Sequence, residues 1–336
     1  MNLTAVPLTI AEDGTWRDEH GTVLPAHYAV GAITGCDVAF PALHGVHGED
    51  GSIAGLLDLC GVPCAGSPVR AGALGMDKHA TKLIAESLGI ATARSRLVLP
   101  GQRATETGCG VPLVVKPTTG GSSNGVFVVT DPDSLADTVE QARRFGDAVL
   151  IEEYVAGREV DIAVFRDRTG ALRLGAALEI GVPAGGVFGV AEKYDGSAQF
   201  DVPAPIDDAE AAAIREAAVR LYGALGCAGV ARFDFFLTES GPILNEVNTA
   251  PGMTEQSQVP RMYAAVGLGY AELIAELIAA ALAGPGQAPS APTACAITSA
   301  TSTNDVRLCT VSSSFARGRT GTPAPGLNAI DATAAS

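Results

Sequence analysis

Two short stretches late in the chain combine charge with apolar flanks in a way that asks for a cation. In ARFDFFL, Arg232 and Asp234 stand two residues apart, and in ILNEVN so do Glu246 and Asn248. If both stretches are strands, alternate side chains share a face, and each pair points one way. Two carboxylates and a carboxamide on adjacent strands are hard oxygen donors suited to Mg²⁺, which would bridge the phosphates of a nucleotide. The plainer alternative is an exposed strand face carrying a salt bridge. Phe233, Phe235 and Val247 weigh against it, because they mark the strands as buried, and buried charge needs a partner.

The basic residues sharpen this. Lysine is scarce, with only Lys78, Lys82, Lys116 and Lys193, so their positions are informative. In VVKPTTGGSSNGV an apolar run delivers Lys116 to a glycine-rich loop. Its glycines would let backbone amides approach a phosphate, and Ser122 and Ser123 could add hydroxyl donors; a plain flexible turn is the alternative. It is not a Walker A loop, since no Gly-Lys-Ser/Thr run opens a helix. The run IEEYVAGREVD carries Glu152, Glu153 and Glu159, and its backbone followed by an acid could hold adenine and ribose hydroxyls. LHGVHGEDGSIAG gathers His44, His47, Glu49 and Asp50 where a strand enters a helix. A substrate-facing turn with Asp50 or Ser52 at the helix N-terminus suits it better than a metal set, since nothing fixes a ligand geometry.

The elements that must position these groups follow from periodicity and punctuation. LTAVPLTI, DVAFPALHG, a helical Ser52 to Leu59 and GVPCAG alternate in a rhythm that suggests a parallel sheet with helices on it. DKHATKLIAESL is helical, with Gly89 as its stop. VPLVVKP and VFVVT read as strands on either side of the glycine-rich loop, and AVLIEEYV as a buried strand. Asp131 before Pro132 starts a helix running to about Phe145, and Asp207 with Glu210 forms a capping box before another. GVARFDFFL and PILNEVN then form strands, and a last helix ends near Ala283.

A chain of 336 residues with 47% hydrophobic content can fill more than one core. A formal charge of -15 argues against a nucleic-acid or anionic-membrane partner, which would need clustered Lys and Arg. Seven cysteines without a C-x-x-C pair read as buried free thiols of a reducing compartment. The start has no basic n-region, and AELIAELIAAALA is too short to span a bilayer, so a cytoplasmic protein is expected. Residues 284–336, dominated by Ala, Ser, Thr, Pro and Gly, are read as a disordered tail without chemistry.

Taken together, ALHGVHGEDGSIAGLLDLCGVPCAGS, GMDKHATKLIAESLGI, VVKPTTGGSSNGV, LIEEYVAGREVDIAV, AEKY, GVARFDFFL and LNEVNTAPGMTEQSQVP resemble the D-alanine:D-alanine ligases and the related vancomycin-resistance ligases of the ATP-grasp superfamily, in family order over about residues 5 to 283. The resemblance implies α/β and α+β layers: a truncated N-terminal parallel-sheet domain for the substrate (1–76), then central (77–160) and C-terminal (161–283) ATP-grasp subdomains that grip ATP. It implies that Lys78 and Lys116 hold phosphates, that Ser123, Glu153 and Lys193 add nucleotide contacts, that the strand from Glu152 to Val155 holds adenine, and that Glu159 faces the ribose. Asp234, Glu246 and Asn248 would bind two Mg²⁺, with Mn²⁺ a substitute. Arg232 and the Gly252 amide would meet the oxyanion, Ser257 and the Ser122 loop would position the second amino acid, His44 would sit beside the first, and Lys193 would reach the substrate. A homodimer is also implied.

The family's opening strand and Gly-Gly-x-Ser-x-Glu turn are not found ahead of LTAVPLTI, so a sheet lacking its central strand is expected. In GGVFGVAEKYD, Val190 stands where D-alanine-specific enzymes usually carry Tyr, while Lys193 and Tyr194 match. D-alanine, D-lactate and D-serine therefore all stay open as second substrates. A non-catalytic ATP-binding homologue is the rival from another class.

Overall fold

The short apolar runs assemble into three sheets in the structure, a computed structural model that describes residues 2–11, 13–104, 110–121, 123–181, 199–284 and 305–313. The first sheet has the strand order β3-β2-β1-β15-β4, with β1 Asn2–Ile10, β2 Trp16–Arg17, β3 Val23–Leu24, β4 Val38–Ala42 and β15 Asp305–Ser313. Its centre is parallel: β1 pairs with β15 from Asn2↔Asp305 to Ile10↔Ser313, and β15 pairs with β4 from Leu308↔Val38 to Ser312↔Ala42. Helices α1 (Ala26–Thr34) and α2 (Ser52–Leu59) supply Ile33, Ile53 and Leu57 to one core with Leu8, Cys309 and Val311.

Two expectations about this sheet are corrected. Residues 305–313 are not part of an unstructured tail, and the sheet is not missing its central strand, because this segment fills that place. The segment is suited to that place although its partners are distant in sequence. VRLCTV carries apolar side chains on both faces, as a strand covered on both sides must. Leu308 packs with Val38, Phe40 and the last helices, while Cys309 and Val311 pack on the other side.

The second sheet, ordered β5-β8-β6-β7, joins β5 Ser95–Val98, β6 Leu113–Pro117, β7 Phe127–Val129 and β8 Val149–Glu153, all antiparallel. A single 3-10 turn at Pro132–Ser134, capped by Asp131, leads into α5 Leu135–Ala142, whose Val139 and Ala142 join Leu113 and Val115 in one core. Two helices lie ahead of this sheet in the chain, α3 Val69–Met76 and α4 Lys78–Ser87. The third sheet runs β12-β11-β9-β13-β14 with β10 beside β9. Its strands are β9 Arg158–Arg166, β10 Leu172–Leu174, β11 Leu178–Gly181, β12 Gln199–Asp201, β13 Val230–Thr238 and β14 Gly241–Asn248.

The helices on the third sheet explain its stability. α6 Asp208–Leu225 starts with the expected capping box, Asp207 accepting from the Glu210 amide at 2.8 Å and Glu210 accepting from the Asp207 amide at 2.9 Å. It buries Ile214, Leu221 and Tyr222 against Val160, Ile162 and Phe233. α7 Gln258–Ala264 and α8 Tyr270–Ala283 cover the opposite face and also touch the first sheet through Val38, Phe40 and Leu308. Among the described residues, Cys36, Cys60, Cys64, Cys227 and Cys309 are free thiols, and burial pushes Cys64, Cys227 and Cys309 up to about 12. No helix among the described residues is long and apolar enough to cross a membrane.

Candidate functional site

β13 and β14 place Asp234 opposite Glu246 and Arg232 opposite Asn248, with a register shift just after Asp234. The Arg232 guanidinium donates from Nε and Nη2 to the two Asp234 oxygens, both at 2.7 Å, and from Nη1 to Gln258 Oε1 at 2.6 Å. Asp161 on β9 lies opposite Asp234 and brings its carboxylate within 3.5 Å of Arg232 Nε. Burial would pull the guanidinium pKa down, but the charges of Asp234, Asp161 and Glu246 outweigh it, so Arg232 is a fixed cation. Asn248 Nδ2 donates to Asp234 Oδ2 at 2.9 Å.

Lys78 reaches the same cluster from another element. Asp77 caps α4 by accepting from the amides of His79 and Ala80, and the Lys78 amide donates to Thr118 O at 2.8 Å. The side chain then donates to Gly120 O at 2.9 Å and lies 3.5 Å from Glu246 Oε2. The glycine-rich loop, the start of α4 and the β14 carboxylate are thus tied at one ammonium group. Glu49, Lys78, Gly120, Glu246 and Asn248 line a cavity of about 10 Å³ there, and a neighbouring cleft of about 30 Å³ is lined by Phe40, Pro41, Glu49, Thr249 and Met253 among others.

Glu49 and Thr249 belong to both cavities, and Thr249 Oγ1 donates to Glu49 O at 3.2 Å. Reasoning from sequence gave Glu49 no role of its own, and Asp161 and Gln258 none at all; the signal lay in GEDG, REVD and TEQSQV, where a polar group sits in an apolar or glycine-rich setting. His44 stands at the mouth, its Nδ1 3.2 Å from Ala250 O and 3.8 Å from Glu49 Oε1. Asp50 instead shapes the turn: it accepts from the amides of His47 and Ser52, and those bonds outweigh burial and hold its carboxyl below the usual range. Ser257 precedes α7 and shares a 2.7 Å hydrogen bond with Thr254 Oγ1, and a side chain at Gly252 would come within 3.0 Å of Ser257 Oγ.

A second ionic group lies deeper. Lys116 Nζ is 2.8 Å from Glu152 Oε2 and Lys82 Nζ is 2.9 Å from Glu152 Oε1, with all three side chains almost fully buried. Burial would raise the Glu152 pKa, but the two ammonium groups overcome it and hold the carboxyl below its ordinary value. Burial lowers Lys82 more than Glu152 raises it. Glu153, next along β8, faces the other way and holds Arg94 at 2.8 Å on the surface. Val155 is half-buried just past β8, and Glu159 is half-buried on β9 between β11 and β13. Ser123 adopts a left-handed backbone (φ 57°) at the tip of the glycine-rich loop. Ser122, Val190, Lys193 and Tyr194 lie outside the described residues.

Chemically, the cavity edge offers the Glu246 carboxylate and the Asn248 amide beside Lys78, with the Asp234 carboxylate just behind them, hard oxygen donors of the type that suits a Mg²⁺ ion and a phosphate chain. Among the described residues no three His, Cys, Asp or Glu side chains gather as a ligand set.

Comparison with known proteins adds to this geometry. The family profile described as "D-ala D-ala ligase C-terminus" matches residues 90–279, and the one described as "D-ala D-ala ligase N-terminus" matches residues 18–67. The chain is similar to the D-alanine–D-alanine ligase of Mycolicibacterium vanbaalenii, 43% identical over 262 residues that cover 75% of this chain and 71% of the relative. It is 42% identical to that of Mycolicibacterium gilvum over 288 residues, 82% of this chain and 77% of the relative. Among solved structures, the VanG D-Ala:D-Ser ligase from Enterococcus faecalis superposes with a TM-score of 0.70 at 30% identity, covering 82% of this chain and 89% of that one. The D-alanine–D-alanine ligase from Bacillus anthracis complexed with ATP gives a TM-score of 0.67 at 30% identity, covering 77% and 83%.

Proposed function

Because the chain belongs to the D-alanine–D-alanine ligase family, with an ATP-grasp fold, we propose that it joins two D-alanine molecules at the expense of ATP. The observation that carries this is the junction of Lys78, the Gly120 loop, Glu246 and Asn248 at one cavity, with Asp234 directly behind them and bonded to Asn248. In the reaction, a carboxylate oxygen of the first D-alanine attacks the γ-phosphorus of ATP and ADP leaves. The amine of the second D-alanine then attacks the acyl phosphate carbon and inorganic phosphate leaves.

The residues divide this work by their chemistry. Asp234, Glu246 and Asn248 would hold Mg²⁺ ions, two in number, with Mn²⁺ a chemical substitute. A bound ion supplies the positive charge that cancels repulsion between two anionic reactants. Lys78 aims its ammonium at the phosphate end, and the amides of the Gly120 loop and the Ser123 turn add donors. Arg232, held flat by Asp234 and Gln258, keeps further N–H groups for the tetrahedral oxyanion, together with the Gly252 amide. Lys116 is held by Glu152 and reaches a phosphate only by dividing its N–H donors between the two anions. The backbone from Glu152 to Val155 takes adenine, Glu159 the ribose, and Glu153, held by Arg94, borders the nucleotide. His44 and Ser257 flank the two amino acids, with Ser122 and Lys193 assigned to the second amino acid and the nucleotide. We extend the reading to a cytoplasmic homodimer, which the free thiols and the family likeness support.

The test is phosphate release from ATP with D-alanine alone, then with D-alanine plus D-serine or D-lactate. Phosphate and D-alanyl-D-alanine formed in equal amounts from D-alanine alone support the reading. Release only when D-serine or D-lactate is added would reassign the second substrate, and ATP binding without release would make the chain a non-catalytic homologue.

A further inference from the structure

The observation that reaches furthest is the place of β15. It lies outside both matched ranges, 18–67 and 90–279, yet it sits between β1 and β4 with a full parallel register on each side. Without it both neighbours would present an unpaired parallel edge, and Leu8, Ile33, Val38 and Phe40 would lose the side chains that cover them. The two anchoring faces are distinct: Leu308 turns to α8, while Cys309 and Val311 turn to α1 and α2. Backbone contacts fix the entry as well, since the Arg307 amide donates to Asp37 Oδ2 at 2.8 Å and the Asp37 amide donates back to Arg307 O at 2.9 Å.

The strand also leads to the cleft. Thr310 pairs with Phe40 and Val311 with Pro41, and both β4 residues line the larger cavity. Ser312 pairs with Ala42, one residue before Leu43 and two before His44. We infer that residues 305–313 are a positioning element of the amino-acid pocket, an internal strand supplied late in the chain that holds β4, and through it the His44 to Glu49 loop, at the cleft. In this arrangement residues 305–313 join β1 to β4 inside the first sheet, and the pocket assembles only after they insert. The pocket's chemical role rests on the ligase reading, whereas the insertion does not.

Two experiments separate these layers. The first reads insertion alone. Thr9 Oγ1 and Ser312 Oγ lie 3.3 Å apart across β1 and β15, so the double variant Thr9→Cys with Ser312→Cys should oxidise to a cross-link within one chain, identified by peptide mapping in the full-length protein. A cross-link between two chains would move the strand to a neighbouring copy and overturn the intramolecular form. Both cysteines staying reactive to a thiol reagent would overturn the insertion outright. The second reads function. Leu308→Asp, and separately Val311→Asp, should raise the KM for D-alanine by about tenfold or more while ATP affinity stays within about twofold, with exposed Arg215→Ala on α6 as the unaffected control. If the cross-link forms but D-alanine saturation does not change in either variant, the strand is structural only and the positioning role fails. If full-length protein shows no ligation but the cross-link forms and Leu308→Asp exposes Cys36 to a thiol reagent, the insertion stands and the ligase reading falls.

Discussion

Two of the places where lysine meets carboxylate, at Glu152 and at Glu246, differ in what surrounds them. At Glu152 both oxygens are taken by Lys82 and Lys116, and the three side chains are 4–7% exposed. At Glu246 the carboxylate is 24% exposed and its Lys78 partner sits at 3.5 Å, beside a cavity. The first is closed, one carboxylate held between two buried lysines. The second is open, with its carboxylate and ammonium set where a cation or a phosphate-bearing ligand can reach them. Charge pairing alone therefore does not mark a reactive centre; charged groups that face a cleft do.

The largest effect should fall on the open cluster. Glu246→Gln is expected to lower ligation by about a hundredfold or more with little change in Tm, because it removes an anionic ligand from a partly exposed position. Asp234→Asn should lose as much activity but also stability, toward the ~3 kcal/mol of a broken buried pair, since Arg232 is left with Asp161 as its nearest carboxylate. Near-normal turnover of Glu246→Gln at millimolar Mg²⁺ would remove the metal assignment. The closed cluster should behave oppositely. Glu152→Gln leaves two buried ammonium groups facing a neutral amide, and chemical denaturation should show a loss of roughly 3–5 kcal/mol. An unchanged unfolding midpoint would mean that the group is wetter than its burial indicates.

Acid titration sharpens the contrast. The folded-state pKa of Glu152 lies below its ordinary value of 4.5, so its contribution is present above about that pH and is lost as pH falls through the lower folded value. The stability curve below pH 4.5 should therefore be shallower in Glu152→Gln than in the parent, and parallel curves would count against the pairing. The smallest effect belongs to the surface pair of Arg94 and Glu153, whose arginine side chain is 73% exposed. Arg94→Ala should shift stability by less than about 1 kcal/mol, and a larger loss would show a role for that edge of the second sheet.

Much of this was readable before the fold was known, for reasons that are local. Asp77 and Gly89 bracket α4, the Asp207 and Glu210 box starts α6, and the two-residue spacing in RFD and NEVN is enough to share a face. What escaped was set by distant partners. β15 pairs with residues about three hundred positions earlier, and its apolar residues were diluted by the small and polar composition of residues 284–336. Glu152 and Glu153 point to opposite faces by simple alternation, yet which face is buried depends on Lys82, seventy residues upstream. Asp161 is distinguished only by standing across from Asp234 in the sheet.

The position of β15 also sets a timetable. Residues 2–10 and 38–42 leave the ribosome long before residue 305 is made, so at 5–20 residues per second the two parallel edges wait roughly 15 to 60 seconds for the strand that joins them. During that interval the α6-covered sheet can complete its core while the amino-terminal sheet stays open to chaperones and to strands of other nascent chains. Synthesis order thus places closure of the first sheet after the third sheet's strands have all been made.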